Sequence, residues 1–251
     1  MTGVSHSVAV TAPVEVMKHR ATARLVGVLF IVATASSIVG GALVVALLDD
    51  PDYLVRVGAN EGQLILGVLL ELILALSVIG IAALLLPVLR PHGEGMAVGY
   101  VAVRTVEATF ILMASTTALL VLALSQDSGS SGSVGVEPVG TALLSAREWT
   151  YLVGTLLVFS VSALILNALL YRSRLVPAWL SLWGLAGGLL LLAYGVAEMF
   201  GAEAPFPLQL LAAPIGVQEM VLAVLLIWKG FAAPSAPAAP GEPRPGSGAA
   251  G

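Results

Sequence analysis

Six long apolar runs constrain this chain more than any other feature. They lie near Leu25 to Leu48, Gln63 to Leu89, Ala97 to Leu124, Trp149 to Tyr171, Ala178 to Phe200 and Leu208 to Trp228. A hydrocarbon core about 30 Å thick takes about 20 apolar residues of helix rising 1.5 Å per residue, and each run meets that length. Inside lipid a backbone must satisfy its own hydrogen bonds, which leaves helices or a closed barrel. The runs are continuous Leu, Val and Ala without the alternation of barrel strands, so they read as helices. Composition agrees: 58% of the 251 residues are hydrophobic and 10% charged, and mean hydropathy is +1.00. With 11 basic and 15 acidic residues, too little charge is present to cover a water-soluble surface. The fold class is therefore all-α, a polytopic membrane protein built as a six-transmembrane-helix bundle.

Orientation follows from the bias of Lys and Arg toward the cytoplasmic side. With a cytoplasmic N-terminus, Lys18, Arg20, Arg24, Arg90, Arg172, Arg174, Lys229 and Arg244 lie inside, while Arg56 and Arg147 lie outside. Both termini are expected in the cytoplasm. Interfacial aromatic belts are expected from Tyr171, Trp179, Trp183 and Trp228 at inner ends and Tyr53, Trp149, Phe200 and Phe206 at outer ends. The first run is too long for a signal peptide and ends in Asp49-Asp50-Pro51 without a small-residue cleavage site, so it is expected to stay as an anchor. The chain divides into a cytoplasmic segment at 1–24, a membrane domain at 25–231 and a Pro/Ala/Gly-rich tail at 232–251 expected to be disordered. Ser125 to Ser133, rich in Gly and Ser, reads as an internal linker.

Several function classes drop out. Without cysteine there is no thiolate nucleophile or cysteine metal site, and His6, His19 and His92 are scattered, so no metal or cofactor is expected. No phosphate-binding glycine loop, HExxH or GxSxG occurs. A net charge of −4 with no basic patch gives no sign of a nucleic-acid partner.

What remains informative is the set of ionisable residues inside the runs, each costing at least about 2.5–3.5 kcal/mol at a helix centre. Glu71 sits in LGVLLELILAL, Arg104 and Glu107 in VAVRTVEATFIL, and Glu219 in IGVQEMVLAVLL. Glu71 falls about 10 Å, and Glu107 and Glu219 about 15 Å, below the outer boundary. Arg104 and Glu107, three residues apart, share a helix face and can neutralise each other. Small residues beside Glu71 (Gly67, Ala75) and Glu219 (Ala212, Gly216, Ala223) mark faces that contact other helices. Ser36/Gly40, Ser37/Gly41 and Gly184/Gly188 read as packing seams, while Asn167 and Glu198 read as head-group contacts near span ends. One arginine against three carboxylates leaves up to two surplus negative charges, which protonation or a cation would offset. An inverted repeat of two three-helix halves would make the third and sixth helices neighbours, with Glu107 and Glu219 facing one midplane site.

RTVEA at Arg104 to Ala108, YRSRLVPAWLSLWGLAGG at Tyr171 to Gly188 and QEMVLAVLLIWKG at Gln218 to Gly230 resemble the bacterial membrane family catalogued as domain of unknown function 4386. Its pattern implies importance for Glu71, Arg104, Glu107, Arg172, Ser173, Pro177, Glu219, Trp228, Lys229 and Gly230. Glu71 stands where the pattern has Asp, and Gln218 where it has Gly. The resemblance implies a bacterial inner-membrane location and no established activity. Two classes stand open beside a third, less supported one, a membrane enzyme. The first is a binding or transport-like protein for a small molecule or proton, with Glu71, Arg104, Glu107 and Glu219 as its site. The second is a non-enzymatic scaffold or stress-associated protein whose buried charges only join helices. Beyond the lipid bilayer no partner or oligomeric state is legible.

Overall fold

Long apolar sequence leaves the chain little choice but long helices, and the computed structural model has them, with Pro87 and Pro214 taken up inside two of them. It describes residues 11–128, 135–201 and 208–232, all helix, turn or connection with no strand. In chain order they are α1 (Thr11–Leu48), α2 (Tyr53–Ala59), α3 (Glu61–Leu89), α4 (Glu94–Ser128), α5 (Val136–Tyr151), a π-helical segment (Leu152–Val158), α6 (Phe159–Ser173), α7 (Ala178–Met199) and α8 (Leu208–Trp228). Five stretches are long and apolar enough to cross a membrane: Arg20–Leu48, Glu61–His92, Glu94–Asp127, Val136–Ser173 and Ala178–Met199. The expected sixth run coincides with α8, whose apolar helix over Ala212–Trp228 is shorter. Side chains such as Ile38, Leu76, Leu182 and Leu189 are more than half exposed. A large apolar surface of this kind suits contact with lipid tails.

Three sequence expectations need correction. The fourth helix does not begin at Trp149, because α5, the π-helical segment and α6 run as one 38-residue helix from Val136 to Ser173. Arg147 therefore sits inside the helix, half-buried, and not on an outer loop. The linker begins later than Ser125, because α4 continues to Ser128 and Ser125 is buried with its hydroxyl donating to the Leu122 carbonyl. Between α1 and α3 the short helix α2 folds Tyr53 and Val57 inward, so Tyr53 belongs to the core and not to an aromatic belt. Trp179, Phe200 and Trp228 are exposed near helix ends, as belt residues would be, whereas Trp149 is exposed 13 residues inside the Val136–Ser173 helix. Phe206, the rest of the linker and the 233–251 part of the tail lie outside the described residues.

The helices pack in a ring: α1 on α3, α3 on α4, α4 on α6, α6 on α7, α7 on α8, and α8 back on α1, with α5 laid against α4. Close backbone approach sets two of these seams. A Cβ on Gly40 would lie 2.9 Å from the Leu70 Cβ, and one on Gly67 would lie 2.6 Å from Val44 Cγ2, so the two glycines let α1 and α3 touch. Gly184 likewise receives the Asn167 carboxamide between α6 and α7. Ser37 and Gly41 make no such seam: Ser37 is exposed, and a Cβ on Gly41 would meet nothing within 4 Å.

One end of the ring is solid. There Phe30, Leu85, Tyr100, Leu169, Leu180 and Leu226 belong to a single buried cluster. At the other end the core splits in two, one part around Val44, Leu64 and Val121 and the other around Leu156, Leu191 and Ile215. The space between the two parts is a cavity.

Candidate functional site: a charged cavity between the helices

The cavity has a volume of about 650 Å³ and a mostly apolar lining, and Glu71, Arg104, Glu107 and Glu219 all face it. Four helices supply the charged groups: α3 brings Glu71, α4 brings Arg104 and Glu107, α5 brings Arg147, and α8 brings Glu219.

Arg104 and Glu107 meet as their spacing on one helix face requires. Arg104 Nη1 lies 2.9 Å from Glu107 Oε1 and 3.1 Å from Oε2, with both side chains almost fully buried. The guanidinium also donates through Nε to the Tyr100 hydroxyl at 3.1 Å. It stands over the Tyr100 and Phe159 rings, 5.5 and 5.4 Å from their centroids. Ser162 on α6 donates to Glu107 Oε2 at 3.1 Å. Such a set of hydrogen bonds and ring faces is what a buried guanidinium and carboxylate need to offset lost hydration.

Glu71 has a partner that sequence reasoning assigned to the outside. Arg147 forms an ion pair with Glu71 Oε1, a second contact to Oε2 at 3.4 Å, and a hydrogen bond to the Ala114 carbonyl. Ser115 on α4 adds a bond to Glu71 Oε2 at 2.6 Å. The signal for Arg147 was available: no helix breaker stands between Gly140 and Trp149, so the fourth helix could extend upstream and carry the arginine inward. Ser115 and Ser162 had no such signal, since Ser on a membrane helix commonly bonds its own preceding turn, and the Ile111 and Phe159 carbonyls stand within reach of these two hydroxyls as alternative acceptors.

Glu219 is held differently. Its contact with an ionised group is Arg104 Nη2 at 3.5 Å, and its side chain remains 14% exposed. Glu107 and Glu219 thus share Arg104, but the expected packing of the third and sixth helices does not occur. The principal neighbours of α8 are α1 and α7, and the carboxylates approach across the cavity. With Arg147 counted, two guanidinium groups face three carboxylates, and the surplus is one negative charge, not two.

Next to Glu219, Gln218 turns away from the cavity. Its Nε2 donates to Asn167 Oδ1 at 3.1 Å and to the Leu180 carbonyl at 3.3 Å. Asn167 is only 2% exposed, so it is a core residue joining α6 to α8 and not a head-group contact. Its buried amide spends its hydrogen bonds on helix packing, because an unpaired amide there would carry the full desolvation cost. Glu198, by contrast, is exposed near the end of α7. Among the described residues no group of three or more His, Asp or Glu is arranged to hold a metal ion.

Comparisons with known proteins bear on this geometry in one way. No curated protein and no solved structure matches the chain. The family described as Domain of unknown function (DUF4386) matches residues 25–230, a stretch that holds every cavity residue named above. The chain belongs to that family.

Proposed function

We propose that this is a six-span bacterial inner-membrane protein with both termini in the cytoplasm, and that it binds a small molecule or proton in the cavity faced by Glu71, Arg104, Glu107 and Glu219. The observation that carries this reading is the cavity itself. Charged groups serving only to join helices gain most when packed against one another, with no space left between them. Here about 650 Å³ stays open beside them, a size typical of ligand pockets. The distribution of Lys and Arg supports the orientation, and the position of α8 in the ring supports a sixth span.

A second reading, a scaffold without a ligand, draws on the pairs Glu71–Arg147 and Arg104–Glu219, each of which joins two helices. Untargeted mass spectrometry of molecules retained by the purified protein separates the two. Binding predicts a compound present with the wild type and lost from a cavity-filling variant, Gly216→Phe, whose new side chain enters open space. Identical retained compounds in both proteins would favour the scaffold.

A further inference from the structure

The three cavity carboxylates are not equivalent. Glu71 is satisfied by Arg147 and Ser115, and Glu107 by Arg104 and Ser162. Glu219 keeps one long contact, 3.5 Å to an arginine already bonded twice to Glu107. Of these three carboxyl groups, Glu219 is therefore the one left without a close counter-charge. Around it the walls are apolar and aromatic, with Phe30, Phe110, Phe159 and Ile215 among the lining residues.

Two further features concern charge and access. Asp49 at the end of α1 and Glu148 next to Arg147 on α5 also line the cavity, so its lining as a whole carries five carboxylates against two arginines. Ser37, Ile38 and Val45 of α1, Tyr151 of α5 and Ala213 of α8 line the cavity and are themselves exposed. Among the described residues no helix closes over this stretch of wall. α1 and α8 are tightly joined lower down, where Gly27 lies against Ala223 and Ile227. Above that crossing both helices line the cavity, and the exposure of Ser37, Ile38, Val45 and Ala213 there places its opening between them.

Resting on the binding reading above, we infer that the cavity takes a lipophilic organic cation, with its positive centre at Glu219 and its apolar body against the aromatic wall. A lateral opening admits a molecule already dissolved in the bilayer. The acidic excess of the lining favours positive charge, and aromatic faces stabilise a desolvated cation. An anion of the same shape would need to take Arg104 or Arg147 from the carboxylates that hold them, leaving those carboxylates buried and unpaired.

The test uses two ions of nearly equal size and opposite charge, tetraphenylphosphonium and tetraphenylborate, with the full chain in nanodiscs and empty nanodiscs as the background. Saturable tetraphenylphosphonium binding is expected, at least tenfold weaker in Glu219→Gln and absent in Gly216→Phe, with no saturable tetraphenylborate binding. The Glu219→Gln protein should elute as the wild type does, since Arg104 keeps Glu107. The charge comparison in the wild type needs no variant. If tetraphenylborate binds as tightly and is lost in Gly216→Phe, the cavity reading survives and the cation inference is overturned. Cation binding unchanged by Glu219→Gln overturns the role of Glu219. Failure of both ions to bind overturns the cation inference alone, because the retained-compound comparison decides the cavity reading separately.

Discussion

Arg104 reaches two carboxylates at once, Glu107 on its own helix and Glu219 across the cavity. Arg104→Ala leaves both without a counter-charge and should cost about 3–5 kcal/mol. Adding Glu107→Ala removes one orphaned charge, so the double variant should unfold at a higher temperature than the single one. Thermal unfolding in detergent reads the difference, and equal losses would mean that the pair contributes nothing as a pair. Tyr53 presents the opposite case. Its ring is buried against Gly140 while its hydroxyl has no hydrogen-bond partner among the described residues. Burying a hydroxyl without a partner costs about 1–3 kcal/mol, so Tyr53→Phe should be stabilising by about 1 kcal/mol. A lower unfolding temperature for this variant would show that the hydroxyl is bonded after all.

At the scale of the helix, the π-helical segment Leu152–Val158 joins α5 to α6. Each wide turn holds an extra residue relative to an α-helix, and such segments often lie beside functional sites. Thr155 and Leu156 within it line the cavity, and Arg147 lies five residues before it. A wide turn absorbs an extra residue without turning the helix beyond it, so deleting Val153 should let the segment relax to α geometry while α5 keeps nearly the same face toward α4. Arg147 would then stay on Glu71. The deletion should cost well below the roughly 3 kcal/mol of Arg147→Ala, and the two changes combined should add. A deletion as costly as Arg147→Ala in thermal unfolding would mean that the wide turns do more than absorb one residue. This segment was illegible in the sequence, since LVGTLLV has no feature that separates a π turn from an α turn. The Arg104–Glu107 pair was legible because both residues ride on one helix and helical spacing alone brings them together.

Across the whole molecule, helix identity could be read from run length, whereas helix neighbours could not. The face of Glu71 meets other helices as expected, whereas that of Glu219 does so at Ala223 and opens on the cavity at Gly216; sequence does not say which helices meet, and the partner of Glu71 lies 76 positions away on α5. The cavity was equally hidden, because it results from a core that divides at one end of the ring. Orientation is a separate matter and rests on basic residues. A reporter fused after Phe231 should report the cytoplasm and one inserted within 128–133 the periplasm; the reverse pair would invert the proposed topology. The two ion pairs also differ in when they can form during synthesis. Arg104 and Glu107 emerge from the ribosome within one turn and enter the bilayer as a nearly neutral unit. Glu71 is made long before Arg147, so α3 must wait in the membrane with an uncompensated acid until the fourth helix arrives to dock against it. The Glu71 pair of this bundle therefore cannot be completed before the fourth helix is in place.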